Sequence, residues 1–125
     1  MSTNYQQGYQ FEYKVKNLFQ KHKQCIAARS PASKTPTDIY VMCKDQTYLI
    51  QCKTTKKDKL YVYGLDKLKE QAQKINAVPL LAYSLHYTAP YITKVKEDSF
   101  KTDKDSSNVE LREVLEKETE PKFFI

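Results

Sequence analysis

Asp38 stands at the head of the apolar run Ile39-Tyr40-Val41, and thirteen residues later comes Gln51, with Lys53 two positions beyond it. Hydrolysis of a phosphodiester needs a divalent cation to neutralise charge building on the phosphate and to acidify the attacking water. Mg²⁺ accepts a few protein oxygens for this purpose in near-octahedral geometry. Asp38 can give one such oxygen and the backbone carbonyl of Cys52 another. Side chains alternate along a strand, so Gln51 and Lys53 share a face, where Lys53 can orient or activate the water. Each residue taken singly has a plainer reading: an Asp before a strand is a common turn residue, and a Gln/Lys pair at alternate positions is commonly a solvated face. Their neighbours in the chain join them into one pattern, with Glu12 upstream, the hydroxyl-rich loop Ser30 to Thr37 before Asp38, and the basic run Lys56, Lys57 and Lys59 after Lys53.

The elements that must position these residues follow from periodicity. Phe11, Val15, Leu18 and Phe19 recur at helical spacing and predict an amphipathic helix over about Tyr5 to Lys23, with Glu12 at the edge of its apolar stripe and four residues before Lys16. A strand at Gln24 to Arg29 precedes the loop Ser30-Pro31-Ala32-Ser33-Lys34-Thr35-Pro36-Thr37, whose prolines forbid a helix. Strands at Asp38 to Cys43 and Thr47 to Thr54, joined by Lys44-Asp45-Gln46, form an antiparallel hairpin that carries both halves of the chemical pattern. Leu65, Leu68, Ala72 and Ile75 mark a second helix that crosses over the sheet to a buried strand at Ala77 to Tyr83. Tyr91 to Val95 alternates as a further strand, Lys101 to Ser106 reads as a linker, and Ser107 with Glu110 makes a capping box ahead of a short helix at Leu111, Val114 and Leu115. Pro121 ends that helix and leaves Phe123-Phe124-Ile125, which can dock on the same core or on a partner subunit.

The 125 residues suit a single domain over 1–125, with a core of about 5–95 followed by a C-terminal linker and short helix over about 96–125. A net charge of +6 makes nucleic acid the leading partner class. Cys25, Cys43 and Cys52 form no CxxC and cannot all pair, so the expectation is no disulfide scaffold and a reducing compartment. His22 and His86 lie far from any cysteine pair, which leaves zinc unsupported. The polar N-terminus and the absence of any run near the roughly 20 apolar residues of a membrane span predict a soluble protein of the cytoplasm.

Taken in order, Gly8-x-x-Phe11-Glu12-x-x-Val15, Arg29-Ser30-x-x-Ser33-Lys34, Asp38-Ile39, Tyr48-Leu49-Ile50-Gln51-Cys52-Lys53, Lys56-Lys57-Asp58-Lys59-Leu60-Tyr61-Val62 and Pro79-Leu80-Leu81-Ala82 resemble the archaeal-type Holliday junction resolvases of the PD-(D/E)XK nuclease superfamily over about residues 5 to 95. The resemblance implies an α/β restriction-endonuclease-like core, a central mixed β-sheet flanked by helices. It also implies a homodimeric, structure-selective endonuclease that uses Mg²⁺ or Mn²⁺ to place paired nicks in a four-way DNA junction. Glu12, Asp38 and Lys53 match the family's active-site positions, and Ser33 matches its loop serine with Ser30 as the alternative. Gln51 stands where the family has a carboxylate, so the implied metal donors are Glu12, Asp38, Gln51 and the Cys52 carbonyl. Arg29 matches a DNA-contacting base, and Ser30, Lys34, Lys56, Lys57 and Lys59 complete the candidate phosphate contacts. Two other readings compete with the resolvase: a degenerate paralogue that binds junctions without cutting them, for which Gln51 is the sequence support, and a restriction-type duplex endonuclease.

Overall fold

The computed structural model describes residues 4–31, 35–86 and 88–117. A first helix, α1 (Asn4–Gln20), is followed by β1 (Cys25–Arg29), β2 (Ile39–Cys43), β3 (Thr47–Thr54) and β4 (Lys59–Val62), then by α2 (Asp66–Lys74), β5 (Val78–Ser84), β6 (Tyr91–Lys94), β7 (Phe100–Asp103) and α3 (Leu111–Lys117). Five strands form one sheet in the order β1-β2-β3-β5-β6, while β4 and β7 form a separate two-stranded ribbon. The large sheet is mixed, as expected: β1, β2 and β3 are antiparallel, β3 and β5 are parallel, and β6 returns antiparallel to β5.

Strand alternation divides the core between the two sides of this sheet. Phe11, Val15 and Phe19 of α1 pack with Ile39, Val41, Tyr48, Ile50, Leu80 and Ala82 on one side, and α3 adds Leu111 and Leu115 there. On the other side Leu65, Leu68 and Ala72, from α2 and its approach, pack with Leu49, Leu81 and Tyr83. A parallel pair needs a crossover, and α2 supplies it. Asn76 then ends the crossover helix in the left-handed region at φ 56, where an asparagine is tolerated. The Ala77 and Asn76 N–H groups donate back to the carbonyls of Ala72 and Gln73, closing a Schellman turn that sends the chain into β5 beside β3.

Two sequence expectations are corrected. Lys101 to Ser106, read as a linker, begins inside β7, whose Phe100 to Asp103 pair with Val62 to Lys59 of β4. Phe100-Lys101-Thr102-Asp103 holds a single large apolar residue, too little to signal a strand until β4 is opposite it. The second correction concerns sulfur: Cys25 and Cys43, eighteen residues apart, are joined as a disulfide and Cys52 alone is free. Antiparallel pairing of β1 with β2 sets Cys25 directly opposite Cys43, a proximity that only the register reveals. Pro121 and Phe123-Phe124-Ile125 lie outside the described residues.

Candidate active site

The site begins where β2 stops and β3 does not. The β2–β3 ladder ends at Ile39↔Ile50, but β3 runs on to Thr54, still held on its other edge by β5 through Thr54↔Ser84. Gln51 to Thr54 therefore have one edge without a strand partner, a place where backbone polar groups must find other company. Asp38 fills the gap. Its N–H donates to the Ile50 carbonyl at 2.8 Å, and its Oδ2 accepts the Cys52 N–H at 2.7 Å, so the carboxylate stands in for the carbonyl of a continuing strand. A strand residue points its N–H and C=O to the same edge, so the Cys52 carbonyl also faces the edge that β2 has left.

This placement sets the electrostatics. Burial pushes the Asp38 carboxyl up to about 6, and the negative charge of Glu12 adds to the rise, while the Cys52 N–H, Lys53 and Arg29 pull the other way. Glu12 from α1, Arg29 from the end of β1 and Lys53 from β3 thus all act on the charge of Asp38. Burial, with Asp38 and Glu12 adding to it, also pushes the Cys52 thiol well up, which keeps the sulfur protonated and leaves the carbonyl as that residue's donor. Gln51 is the anomaly: its Oε1 is buried with no hydrogen-bond partner among the described residues. A buried polar acceptor without a donor costs about 1–3 kcal/mol, so it calls for an explanation.

Lys53 is exposed, and it shares Gln51's face because the two pair with Leu81 and Tyr83, both on the α2 side of the sheet. Arg29 is held differently. Its Nη2 and Nε donate to Glu12 Oε1 at 3.0 and 3.2 Å, and its guanidinium carbon lies 4.1 Å from the centre of the Tyr9 ring and 4.8 Å from that of Tyr13. The Tyr9 hydroxyl donates to that of Tyr13 at 3.1 Å. Sequence reasoning missed these tyrosines, although Tyr9, Glu12 and Tyr13 sit at helical i, i+3, i+4 spacing and so share one face of α1.

The remaining site residues are arranged around this end of β3. Ser30 donates its N–H to the Asp38 carbonyl at 2.8 Å and its side chain bonds Thr35, while the buried Thr37 donates to Gln71 of α2 at 2.6 Å. Those contacts fix both ends of the loop; Ser33 and Lys34 lie outside the described residues. Lys56 and Lys57 are exposed on the bend after β3, where the Lys57 carbonyl accepts the His86 N–H. Lys59 is carried off onto the ribbon as the first residue of β4, away from the loop lysines.

Among the described residues no three His, Cys, Asp or Glu side chains cluster as a metal site. The oxygens that this end of the sheet offers are the Asp38 and Glu12 carboxylates, the Gln51 amide and the Cys52 carbonyl, all hard donors of the kind Mg²⁺ and Mn²⁺ take. A buried acceptor without a donor, and a carboxylate raised by burial with the charge of Glu12 adding to the rise, are each relieved by a cation, so these residues fit a divalent metal.

Comparison with known proteins agrees with the geometry. No curated protein matches the chain at the sequence level. Among solved structures, Hjc from Archaeoglobus fulgidus, a Holliday junction resolvase from an archaeal hyperthermophile, superposes with a TM-score of 0.69 at 23% identity, covering 86% of this chain and 99% of that one. That likeness shows the restriction-endonuclease-like fold, a mixed central sheet flanked by helices. A family model described as archaeal Holliday junction resolvase (Hjc) matches residues 3–122, so the chain belongs to the archaeal Holliday junction resolvase family.

Proposed function

We propose that this chain, as one nuclease domain, resolves four-way DNA junctions by paired metal-dependent nicks in two symmetry-related strands. The observation that carries the reading is the donorless oxygen of Gln51 together with the burial-raised carboxylate of Asp38, at the point where β3 outruns β2 in a member of this family. Asp38, the Gln51 amide oxygen and the Cys52 carbonyl would hold Mg²⁺ or Mn²⁺. Arg29 engages Oε1 of Glu12, which leaves Oε2 as a fourth donor. When bound, the metal supplies charge neutralisation at the phosphate and a more acidic water.

The chain's own groups do the rest. Lys53, exposed at the end of the face it shares with Gln51, positions the attacking water, and in-line attack at phosphorus leaves a 5′-phosphate and a 3′-hydroxyl. Arg29, Ser30, Lys34, Lys56 and Lys57 engage backbone phosphates, with the loop serine, Ser33 or Ser30, assisting catalysis. Lys59 contributes its charge from the ribbon. A C2 homodimer places two such sites on two strands of the junction.

The test is incubation of the purified protein with a labelled four-way junction and a matched linear duplex, each with Mg²⁺ and with EDTA, alongside light scattering at micromolar concentration. A dimer that nicks only the junction, and only with metal, is expected. A monomer, or equal cutting of the duplex, would contradict the proposal.

A further inference from the structure

Apart from Lys59, the β4–β7 ribbon presents a surface to which the cleavage reaction assigns no role. Alternation turns Val62 and Thr102 inward, both buried, with Leu60 and Phe100 packed beside them, and turns Lys59, Tyr61 and Lys101 outward. Tyr63, two residues beyond Tyr61, extends this outer face. Tyr61 is 60% exposed and Tyr63 75%, and their ring centres are 5.9 Å apart. Lys101 is the cross-strand partner of Tyr61. Large aromatic rings this close together that leave most of their surface to solvent are not explained by core packing.

The platform is rigid. Phe100 stacks at 5.1 Å on the ring of Tyr83 in the core, and Asn108 Oδ1 accepts from both Tyr83 and Thr102 hydroxyls at 2.6 and 2.7 Å. Beside the tyrosines lies an open hollow of about 600 Å³, lined among others by Lys59, Tyr61, Lys101 and Ser106. Asp103, the carboxylate on this rim, already accepts from Ser106 Oγ and the Asp105 N–H at 3.0 Å each, so its charge is tied into the turn.

Flat π faces with flanking ammonium groups recognise a planar ligand linked to anions. Nucleotides have that chemistry, but a duplex hides its base faces, so the matching ligand is DNA with unstacked bases. The chain also limits how far apart the two sites lie: Tyr61 is eight positions after Lys53, a span of at most about 29 Å. We propose that Tyr61 and Tyr63, with Lys59 and Lys101, form a second DNA site that stacks unpaired bases, such as those exposed at a branch point. The proposal rests on the nucleic-acid reading of the chain, and its test measures binding without cleavage.

Anisotropy in EDTA would be measured with a labelled dT15 strand and with an abasic strand of equal length and charge. Wild type should prefer dT15. The Tyr61→Ala/Tyr63→Ala double variant should lose roughly five-fold or more per ring removed, the low end for base–aromatic stacking, while abasic binding stays unchanged. The Tyr61→Phe/Tyr63→Phe variant keeps the rings and should bind dT15 within about two-fold of wild type. Equal wild-type affinity for the two strands, or an alanine variant with unaltered preference and an intact melting transition, overturns the proposal. Junction cleavage with Mg²⁺ is scored separately, so a protein that stacks bases but cuts nothing would sink the resolvase reading and leave this one standing.

Discussion

Arg29 lies against two tyrosine rings with Glu12 accepting from two of its nitrogens, whereas Gln51, on β3 where β2 has stopped, keeps a buried amide oxygen without a donor among the described residues. The two residues face similar physics. Each brings a polar group into a partly dehydrated corner, and each such group is costly unless matched. At Arg29 the match is complete inside the chain, and the result is a fixed corner that holds α1 against β1. At Gln51 and Asp38 the match is incomplete: the carboxyl is pushed up to about 6 and the amide oxygen goes unanswered. The difference separates a charge already paired within the chain from a polar group that is not.

The largest effect expected on this contrast is kinetic. Asp38→Asn and Lys53→Ala should each lower junction cleavage by on the order of 10²–10⁴-fold, as when a positioned acid–base or charge-stabilising group is lost. Junction binding in EDTA should persist, and near-wild-type cutting by either variant would break the assignment.

The next effect is a pH dependence in the metal-free protein. A carboxyl raised in the folded state binds more protons folded than unfolded between its two pKa values. Asp38 thus favours folding below about pH 4, and that contribution is lost as pH rises toward and through about 6. Relative to Asp38→Asn, wild type should lose up to about 3 kcal/mol between pH 4 and pH 7 in urea titrations with EDTA. A difference independent of pH would show that Asp38 is an ordinary surface carboxylate.

Stability should also move in opposite directions at the two corners. Arg29→Ala removes an ion pair and two ring contacts and is expected to cost about 1–3 kcal/mol, while Gln51→Met removes an unmatched acceptor and should stabilise by about 1 kcal/mol. Destabilisation by both substitutions would erase the comparison. The smallest effect belongs to the exposed Lys56: replacement by alanine should reduce the slope of log binding constant against log salt by about 0.9, one phosphate's share, with no change in fold stability.

The hairpin from Ile39 to Thr54 was legible because its alternation is strong and its turn short, and with it came Asp38, Gln51 and Lys53 at readable spacing. The β4–β7 ribbon was not, since a four-residue strand with one large apolar side chain becomes a strand only through a partner some forty residues away. Pairing of Cys25 with Cys43 depended on register, and the clamp on Arg29 depended on where β1 docks against α1. The type of Gln51 could be read directly. That its oxygen would be buried without a donor is a property of the packed sheet, which no local pattern encodes.

The central claim is that the Asp38–Gln51 corner is built for a metal, and a Mg²⁺ titration of junction cleavage by wild type, Gln51→Glu and Gln51→Ala tests it most directly. Wild type should be active, Gln51→Glu active at lower Mg²⁺ because an added charge strengthens cation binding in a partly desolvated pocket, and Gln51→Ala strongly impaired. An inert wild type across the whole Mg²⁺ and Mn²⁺ range, above all one in which Gln51→Glu switches cleavage on, would contradict the account and leave a protein that binds junctions without cutting them.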